Sequence, residues 1–279
     1  MEDIERIRER LENIQSVEPI IGALRTIAAG GWRLAVRRLE VCAEYAQNLA
    51  EILAALLPVV RREKVASGLA SLVPVPARRP AILVIASQRG LCGAFNDIVL
   101  EGAERLIAQQ ELQSQVQVVT LGNRAEGYFR RRGRRLLLAQ PLPVTRVASF
   151  EMVRGLAVTL RGLLSSDTVD AMNVVCSPYR PGITLPPISR RWLPIDASAL
   201  PRGSPRWLRA IIETDKEALF ERAMEEWAVV QLCRLVVESA ASEQNARFRA
   251  MDAATNNVRR LIEELTLGYH VARQHAITM

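Results

Sequence analysis

The sequence predicts an α/β protein in which a long antiparallel coiled coil of N- and C-terminal helices carries an inserted small α/β domain of mainly parallel sheet. Three observations support this prediction. The last stretch, residues 213–276, contains no proline, and the first, residues 3–57, contains one. Both stretches repeat apolar residues at helical spacing. Between them, segments typical of strands alternate with segments typical of helices, which is the pattern of an α/β layer.

The C-terminal stretch is too long for a helix of a compact domain. At ~1.5 Å per residue, a helix over residues 213–276 spans roughly 90 Å. Its apolar residues recur every three or four positions, as a coiled-coil seam requires. The predicted stripe consists of Leu219, Ala223, Trp227, Val230, Val237, Ala241, Met251, Thr255, Val258, Ile262 and Leu265. Such a helix needs an equally long partner to cover this stripe.

The N-terminal stretch supplies that partner. Its predicted stripe consists of Ile4, Ile7, Leu11, Ile14, Ile21, Leu24, Ala28, Leu34, Val41, Tyr45, Leu49, Ile52 and Leu56. Pro19 removes one backbone hydrogen bond, so we expect it to interrupt the helix with a kink. Gly30 and Gly31 form a second weak point, which marks either a close approach of two helices or a bend of the rod.

The middle of the chain predicts a separate domain. A continuous apolar run at residues 81–86 is typical of a buried parallel strand. Further strands are expected near residues 116–121, 136–138, 171–176 and 183–193. We therefore divide the chain into a helix at 1–60, a linker at 61–80, an α/β domain at 81–193, a linker at 194–212 and a helix at 213–279.

Composition narrows the classes of function. The formal net charge is +7, and residues 120–165 hold nine Arg and two Glu. This basic stretch fits an acidic protein neighbour, lipid headgroups, nucleic acid or simply a solvated face. No signal peptide and no apolar run long enough to span a membrane is visible, which predicts a soluble chain. The four cysteines share no metal or redox spacing, so free thiols are expected: Cys42, Cys92, Cys176 and Cys233.

The residues offer no catalytic constellation. The loop around Gly90 and Gly93 lies between a predicted strand and helix but lacks the lysine of a P-loop, so we interpret it as a structural turn. His270 and His275 are five residues apart and do not share a helix face as a metal pair would. Few aromatic residues interleave with the arginines, which disfavours nucleic-acid binding. We therefore expect no catalytic residue, no metal and no cofactor.

Three stretches resemble the gamma subunit of F-type ATP synthases. Residues 20–29 (IIGALRTIAA) are similar to the family's I-T-x-A-M-x-M-V-A-A, and residues 87–96 (SQRGLCGAFN) to its S-D-R-G-L-C-G-x-x-N. The most specific is residues 238–257, which begin ESAASEQNARF and end ATNN, followed by residues 272–278 (ARQHAIT). Together these stretches span essentially the whole chain.

The resemblance implies a non-catalytic rotor subunit. In this family the terminal helices form the central shaft inside a ring of alpha and beta subunits, and the α/β domain sits beside epsilon on the membrane ring of c subunits. Proton flow would turn the shaft, which would bias the catalytic beta subunits in turn. The resemblance also implies a peripheral location at the cytoplasmic face of the bacterial plasma membrane, with indirect membrane contact through the c ring and no nucleic-acid partner.

The resemblance also implies interaction residues. Contacts with beta subunits are expected from Leu24, Arg25, Arg247, Gln274 and Thr278. A loop of the α/β domain near epsilon and the c ring is expected to contain Arg89, Gly90, Leu91, Cys92 and Gly93.

Several positions depart from the family pattern. Leu24 and Thr26 stand where the family has methionines, Gly31 where it has a lysine, and Gln88 where it has an acidic residue. The family generally continues for about a dozen residues after the Ile-Thr pair, roughly 18 Å of helix, so we expect a shortened shaft tip here. These departures keep two alternatives open: a degenerate gamma-like scaffold that binds partners without transmitting rotation, and a ligand-binding or enzymatic α/β domain with helical arms.

Overall fold

The computed structural model describes residues 2–58, 60, 70–71, 77–111, 115–144, 146–166, 168–196 and 212–278. Most of the predicted linkers, at 61–80 and 194–212, lies outside the described residues. The helices are α1 (Glu2–Leu56), α2 (Phe95–Glu111), α3 (Asn123–Arg131), α4 (Phe150–Ser165) and α5 (Lys216–Thr278). The strands are β1 (Ala70–Ser71), β2 (Pro80–Ile85), β3 (Gln117–Leu121), β4 (Leu136–Gln140), β5 (Ala171–Cys176), β6 (Tyr179–Arg180), β7 (Ile183–Thr184), β8 (Ile188–Leu193) and β9 (Ile195–Asp196).

Helices α1 and α5 pair antiparallel along their length. The Glu18 carboxylate contacts Arg259 at 3.2 Å, and the Arg25 guanidinium contacts Asp252 at 2.8 Å. Further along α1, Cys42 contacts Cys233. Partner numbers on α5 therefore fall as those on α1 rise, which confirms the predicted antiparallel rod.

Two details of the predicted first helix are wrong. Helix α1 continues through Pro19 without the predicted interruption, because a missing backbone hydrogen bond is a local cost that packing against α5 can offset. The predicted kink at this point stays a prediction. Val41 and Tyr45 were assigned to the buried stripe, yet they are 66% and 43% exposed. The buried positions here are Ala35, Ala46, Leu49 and Leu53. The helix turns slightly out of phase with a fixed seven-residue repeat, so a stripe extrapolated over many turns drifts off the contact face.

A five-stranded sheet, in the order β4-β3-β2-β5-β8, forms the α/β domain. Strands β2 to β5 are parallel, and the edge strand β8 is antiparallel to β5. Every residue of β2 and of β5 is buried, as continuous apolar strands covered on both faces should be. The predicted fold class, with its mainly parallel sheet, is confirmed.

The rod covers part of one face of the sheet, and helices α2 and α3 cover the other. On one face, Ile82 and Val84 of β2 pack with α2 and α3 residues such as Ile107 and Phe129. On the other face, Leu83 and Ile85 join a core that includes α4 and residues 220–241, in the N-terminal half of α5. Helix α5 is consequently buried on more than one side there: Ala228, Val229, Val230, Leu232, Cys233, Leu235, Val236 and Val237 are all buried. The domain is thus joined to the rod through a shared hydrophobic core.

Candidate functional site

The loop at residues 86–94, which follows β2, has a fixed internal structure. The Ser87 backbone N–H donates to Asn96 Oδ1 at 3.2 Å, and the Ser87 hydroxyl donates to the Arg89 carbonyl at 2.6 Å. The Asn96 side-chain amide donates to Cys92 Sγ at 3.1 Å. Leu91 adopts a positive φ of 62° and leaves its side chain 62% exposed. The loop is therefore held by its own polar side chains, and it presents Leu91 outward.

Gln88 and Gly122 join this loop to the next βα turn. Gln88 Oε1 accepts hydrogen bonds from the backbone N–H groups of Asn123 and Leu142, at 3.3 and 2.7 Å. Gly122 has φ 98°, and a Cβ added there would lie 2.2 Å from the Ala86 carbonyl oxygen. Only glycine permits this backbone conformation and this close approach together. The two turns consequently pack as one unit at the carboxyl edge of the sheet.

Arg247 holds the loop against α5. Its guanidinium lies 2.7 Å from the Glu243 carboxylate, and the two side chains are only 13% and 12% exposed. The same guanidinium donates to the carbonyl oxygens of Arg89 and Gly90, both at 3.3 Å. The structure thus brings together two predicted groups that lie about 160 residues apart, Arg247 and the loop containing Arg89–Gly93. The predicted contact of Arg247 with a beta subunit stays a prediction, and in this chain the guanidinium is already engaged.

Apolar contacts complete this junction. Cys92, Phe95 and Val99 form a buried cluster with Ala246 of α5. Burial raises the pKa of the Cys92 thiol, with a smaller contribution from Glu243, so this thiol stays protonated at neutral pH. Gly93 faces the same helix, where an added Cβ would touch Ala250 at 3.7 Å. The predicted loop residues are therefore partly structural, and the exposed side chains among them are those of Arg89 and Leu91, while Gly93 is an exposed glycine.

The remaining predicted interaction residues lie further along the rod. Leu24 and Arg25 are half-buried on α1, and Arg25 pairs with Asp252. Gln274 and Thr278 are exposed near the end of α5, where the Thr278 hydroxyl donates to the Gln274 carbonyl at 2.6 Å. At ~1.5 Å per residue, Thr278 lies roughly 40 Å beyond Asp252. Leu24, Arg25 and Arg247 therefore lie within about two helical turns of one another along the rod, and Gln274 and Thr278 lie far from them. The predicted residues form no single pocket.

The described residues contain no arrangement suited to a metal. Within these ranges, no group of three or more His, Cys, Asp and Glu side chains could hold a metal ion. An open groove of about 550 Å³ beside the 86–94 loop is lined by Gln88, Arg89, Gly90, Leu91, Asn123, Arg124 and Arg131. Its arginines are exposed, as expected for the basic stretch of the sequence. No helix in the part of the chain that the structure covers is long and apolar enough to cross a membrane.

One pair of side chains at the rod was missed from the sequence. Cys42 of α1 and Cys233 of α5 place their sulfur atoms 3.7 Å apart, although 191 positions separate them in the chain. A signal was available, because Cys42 lies seven residues after Ala35 and four before Ala46, both of which are buried. Cysteine spacing along the sequence could not reveal this contact, but seam spacing on both helices could have.

Comparison with known proteins identifies the family. A family model described as ATP synthase matches residues 3–279. The ATP synthase gamma chain of Heliobacterium modesticaldum is 30% identical over 279 aligned positions, which cover 98% of this chain and 93% of that protein. The chain belongs to the ATP synthase gamma family. The gamma chain of Chlorobium phaeobacteroides is likewise 30% identical, over 100% of this chain and 95% of its own length.

Solved ATP synthase structures share the fold of this gamma-family chain. A chain from the Euglena gracilis mitochondrial enzyme, in an assembly described as OSCP/F1/c-ring, has a TM-score of 0.65 and 16% identity, covering 99% of this chain and 90% of its own. A chain from the Tetrahymena thermophila enzyme, described as central stalk/c-ring, has a TM-score of 0.61 and 18% identity, covering 84% and 99%. The likeness at these low identities supports the fold of paired long helices with an inserted sheet.

Proposed function

We propose that this chain is the central rotor shaft of an F-type ATP synthase, which couples proton flow through the membrane c ring to conformational cycling of the catalytic beta subunits. The observation that carries the proposal is the continuous α1–α5 rod. Residues 34–56 of α1 and 219–241 of α5, the inner part of this rod, share a core with the α/β domain. A shaft must transmit a turning force from one end to the other. Two helices joined to a rigid sheet domain through a common core are suited to this role.

The outer part of the rod, residues 4–27 and 256–275, has exposed apolar surface that indicates a surrounding partner. None of the side chains at residues 4–27 or 256–275 is fully buried, since among the described residues only the two helices pack on each other there. Ile20, Ile27, Leu267 and Ile277 are 59%, 55%, 67% and 74% exposed. Apolar surface of this extent along a rod is typical of a segment that a partner covers. A ring of alpha and beta subunits would cover it, with Leu24, Arg25, Arg247, Gln274 and Thr278 as the proposed beta contacts.

The α/β domain would form the base of the shaft. Its 86–94 loop would face epsilon and the c ring through Arg89 and Leu91, which are exposed. The membrane contact of the chain would be indirect, at the cytoplasmic face of a bacterial plasma membrane. Nucleotide chemistry would take place on the beta subunits, and this chain would contribute no catalytic residue.

Co-reconstitution tests the proposal. The purified chain is mixed with alpha and beta subunits, and the complex is assayed for stoichiometry and ATP hydrolysis. Rotation is followed with a probe attached to the α/β domain. A rotor predicts a complex of three alpha, three beta and one gamma subunit in which hydrolysis turns the probe. Assembly without rotation would favour the gamma-like scaffold. Micromolar nucleotide binding by the isolated chain would instead favour a ligand-binding or enzymatic domain.

A further inference from the structure

We infer that Cys42 and Cys233 are a redox-active pair, in which a low-molecular-weight disulfide oxidises the two touching thiols to a disulfide that links α1 to α5. This inference does not depend on the rotor role. The two sulfur atoms are 3.7 Å apart, and both cysteines are free. A covalent S–S bond measures about 2.0 Å, so closure requires an approach of roughly 1.7 Å, which side-chain rotation and a small helix shift can supply.

The two cysteines differ in access, as an attacking and a resolving thiol must. Cys42 is half-buried and can meet a small disulfide from solvent. Cys233 is only 3% exposed and contacts Cys42 from within the core. A reagent in solution therefore reaches Cys42 first, and Cys233 is positioned for the second step.

The surroundings of Cys42 favour its thiolate. A hydrogen bond from the Cys233 thiol, together with the nearby charges of Arg38 and Arg234, lowers the pKa of Cys42 to about 7. Arg38 is held in place because its guanidinium donates to the carbonyl oxygens of Val147 and Ala148, both at 3.1 Å. Cys233 retains its proton, since its hydrogen bond to Cys42, its burial and the charge of the neighbouring thiolate all raise its pKa. The other two thiols, Cys92 and Cys176, are buried in the α/β domain, and burial raises the pKa of each.

The reaction balances without a further reactant. The Cys42 thiolate attacks one sulfur of the small disulfide, whose S–S bond breaks and releases one thiolate. Cys233 then loses its proton and attacks Cys42 Sγ in the mixed disulfide, which expels the second small thiolate. The two protein sulfurs are oxidised, the reagent is reduced to two thiols, and the cysteine protons go to these thiols. An added dithiol reverses both steps.

The disulfide would restrain the rod where it meets the α/β domain. It would close a loop that contains the whole sheet, because the two cysteines flank that domain in the chain. Cross-linking over so long a loop removes conformational freedom from the unfolded chain. We expect the oxidised protein to melt roughly 5 °C or more above the reduced protein, and dithiothreitol to abolish the difference. It would also prevent α1 and α5 from parting at this level.

The test uses the full-length chain, reduced and then incubated with oxidised glutathione. Trypsin digestion without reduction should yield one linked pair, peptide 39–61 with peptide 223–234, detected by mass spectrometry. In the Cys233→Ser variant, glutathione should stay on Cys42 as a stable mixed disulfide. In the Cys42→Ser variant, neither the link nor an adduct on Cys233 should form. The peptides of Cys92 and Cys176 are internal controls and should remain unmodified.

Three outcomes would overturn the inference. They are a glutathione adduct on wild-type Cys42 that never resolves to the link, a link that involves Cys92 or Cys176, and no reaction of Cys42 at all. Circular dichroism of each variant before oxidation checks that the fold is retained. If one variant fails to fold, the peptide map of the oxidised wild-type protein still shows whether the Cys42–Cys233 disulfide forms.

Discussion

At single residues, a positive φ and a close contact with a neighbouring backbone are two separate reasons for glycine, and two glycines of this chain distinguish them. Gly122 needs both, because its positive φ coincides with close approach to Ala86. Gly133 also has a positive φ, of 71°, but an added Cβ there would meet nothing within 4 Å. The two glycines therefore allow backbone strain and steric clash to be measured apart.

We expect Gly122→Ala to lower the free energy of unfolding by about 3 kcal/mol or more, since the new methyl group would force the two βα turns apart. Gly133→Ala should cost only about 1 kcal/mol, the strain of placing alanine at a positive φ. Urea unfolding followed by circular dichroism measures both values. Equal losses in the two variants would show that the contact with Ala86 yields at no cost.

Thiol chemistry supplies a pH prediction at the same scale. Because the thiolate is the nucleophile, the iodoacetamide reaction of Cys42 should reach half its maximal rate near pH 7, its lowered pKa, rather than near the ordinary value of 9.0. Burial raises the pKa of Cys176 to about 12, so this thiol should stay unreactive up to at least pH 9. Peptide-resolved alkylation across this pH range measures both. A Cys42 profile centred near pH 9 would contradict the assigned role of Arg38 and Arg234.

At the scale of elements, the contact between the 86–94 loop and α5 depends on one largely buried ion pair. Arg247 serves two partners, the Glu243 carboxylate and the loop carbonyl oxygens. Removing one member of such a pair costs more than the pair contributes, because the remaining charge stays buried without a partner. Substitution of Arg247 is therefore expected to destabilise both the 86–94 loop and its contact with α5.

We expect Arg247→Ala to cost roughly 3 kcal/mol of unfolding free energy at neutral pH. Burial raises the pKa of Glu243 while Arg247 lowers it, so removing Arg247 should raise that pKa further. A raised carboxyl pKa means that the folded state favours the protonated form. The loss of unfolding free energy in Arg247→Ala should therefore be complete at pH values above the pKa of Glu243 in the folded variant. It should become smaller as the pH falls through that pKa.

The double variant Arg247→Ala with Glu243→Gln is the matched control for this experiment. The double variant lacks the buried Glu243 carboxylate. Its unfolding free energy should therefore not recover at acidic pH as that of Arg247→Ala does. Denaturant titrations of the single and double variants between pH 4 and 8 provide the comparison. Parallel stability curves for the two variants would exclude Glu243 as the group that titrates.

At the scale of the whole molecule, the rod changes character along its length. Residues 34–56 of α1 and 219–241 of α5 share a core with the sheet domain, whereas no described residue outside the two helices buries the side chains of residues 4–27 and 256–275. Arg25 and Asp252, at the boundary, are 40% and 44% exposed, so their ion pair contributes at most about 1 kcal/mol. These outer residues, 4–27 and 256–275, are therefore expected to become more buried in the assembled complex.

We expect Ile20→Ser combined with Ile27→Ser to weaken assembly with alpha and beta subunits by at least about tenfold, since each side chain would lose apolar burial in the complex. The melting temperature of the isolated chain should change little, because both side chains are already more than half exposed. Val158→Ser, at a position 61% exposed on α4, is the matched control. Undiminished assembly of the double variant, measured by analytical ultracentrifugation, would argue against a ring around this part of the rod.

The two long helices, their antiparallel pairing, the alternating strands and helices, and the stretches that resemble the gamma family can all be predicted from the amino-acid sequence. Helical period, strand length and the absence of proline are local properties, so they can be recognised without the fold. The predicted interruption of the helix at Pro19 and the predicted burial of Val41 and Tyr45 are wrong, because tolerance of a lost hydrogen bond and the phase of a long stripe depend on the partner helix.

Which distant residues are in contact could be learned only from the three-dimensional fold. The contact of Cys42 with Cys233 requires the register of two helices, and the hold of Arg247 on the 86–94 loop requires the sheet to lie beside α5. The burial of α5 on more than one side has the same origin, since both α1 and the sheet cover it. These contacts are set by how whole elements pack, and a one-dimensional pattern carries the period of each element but not the distance between them.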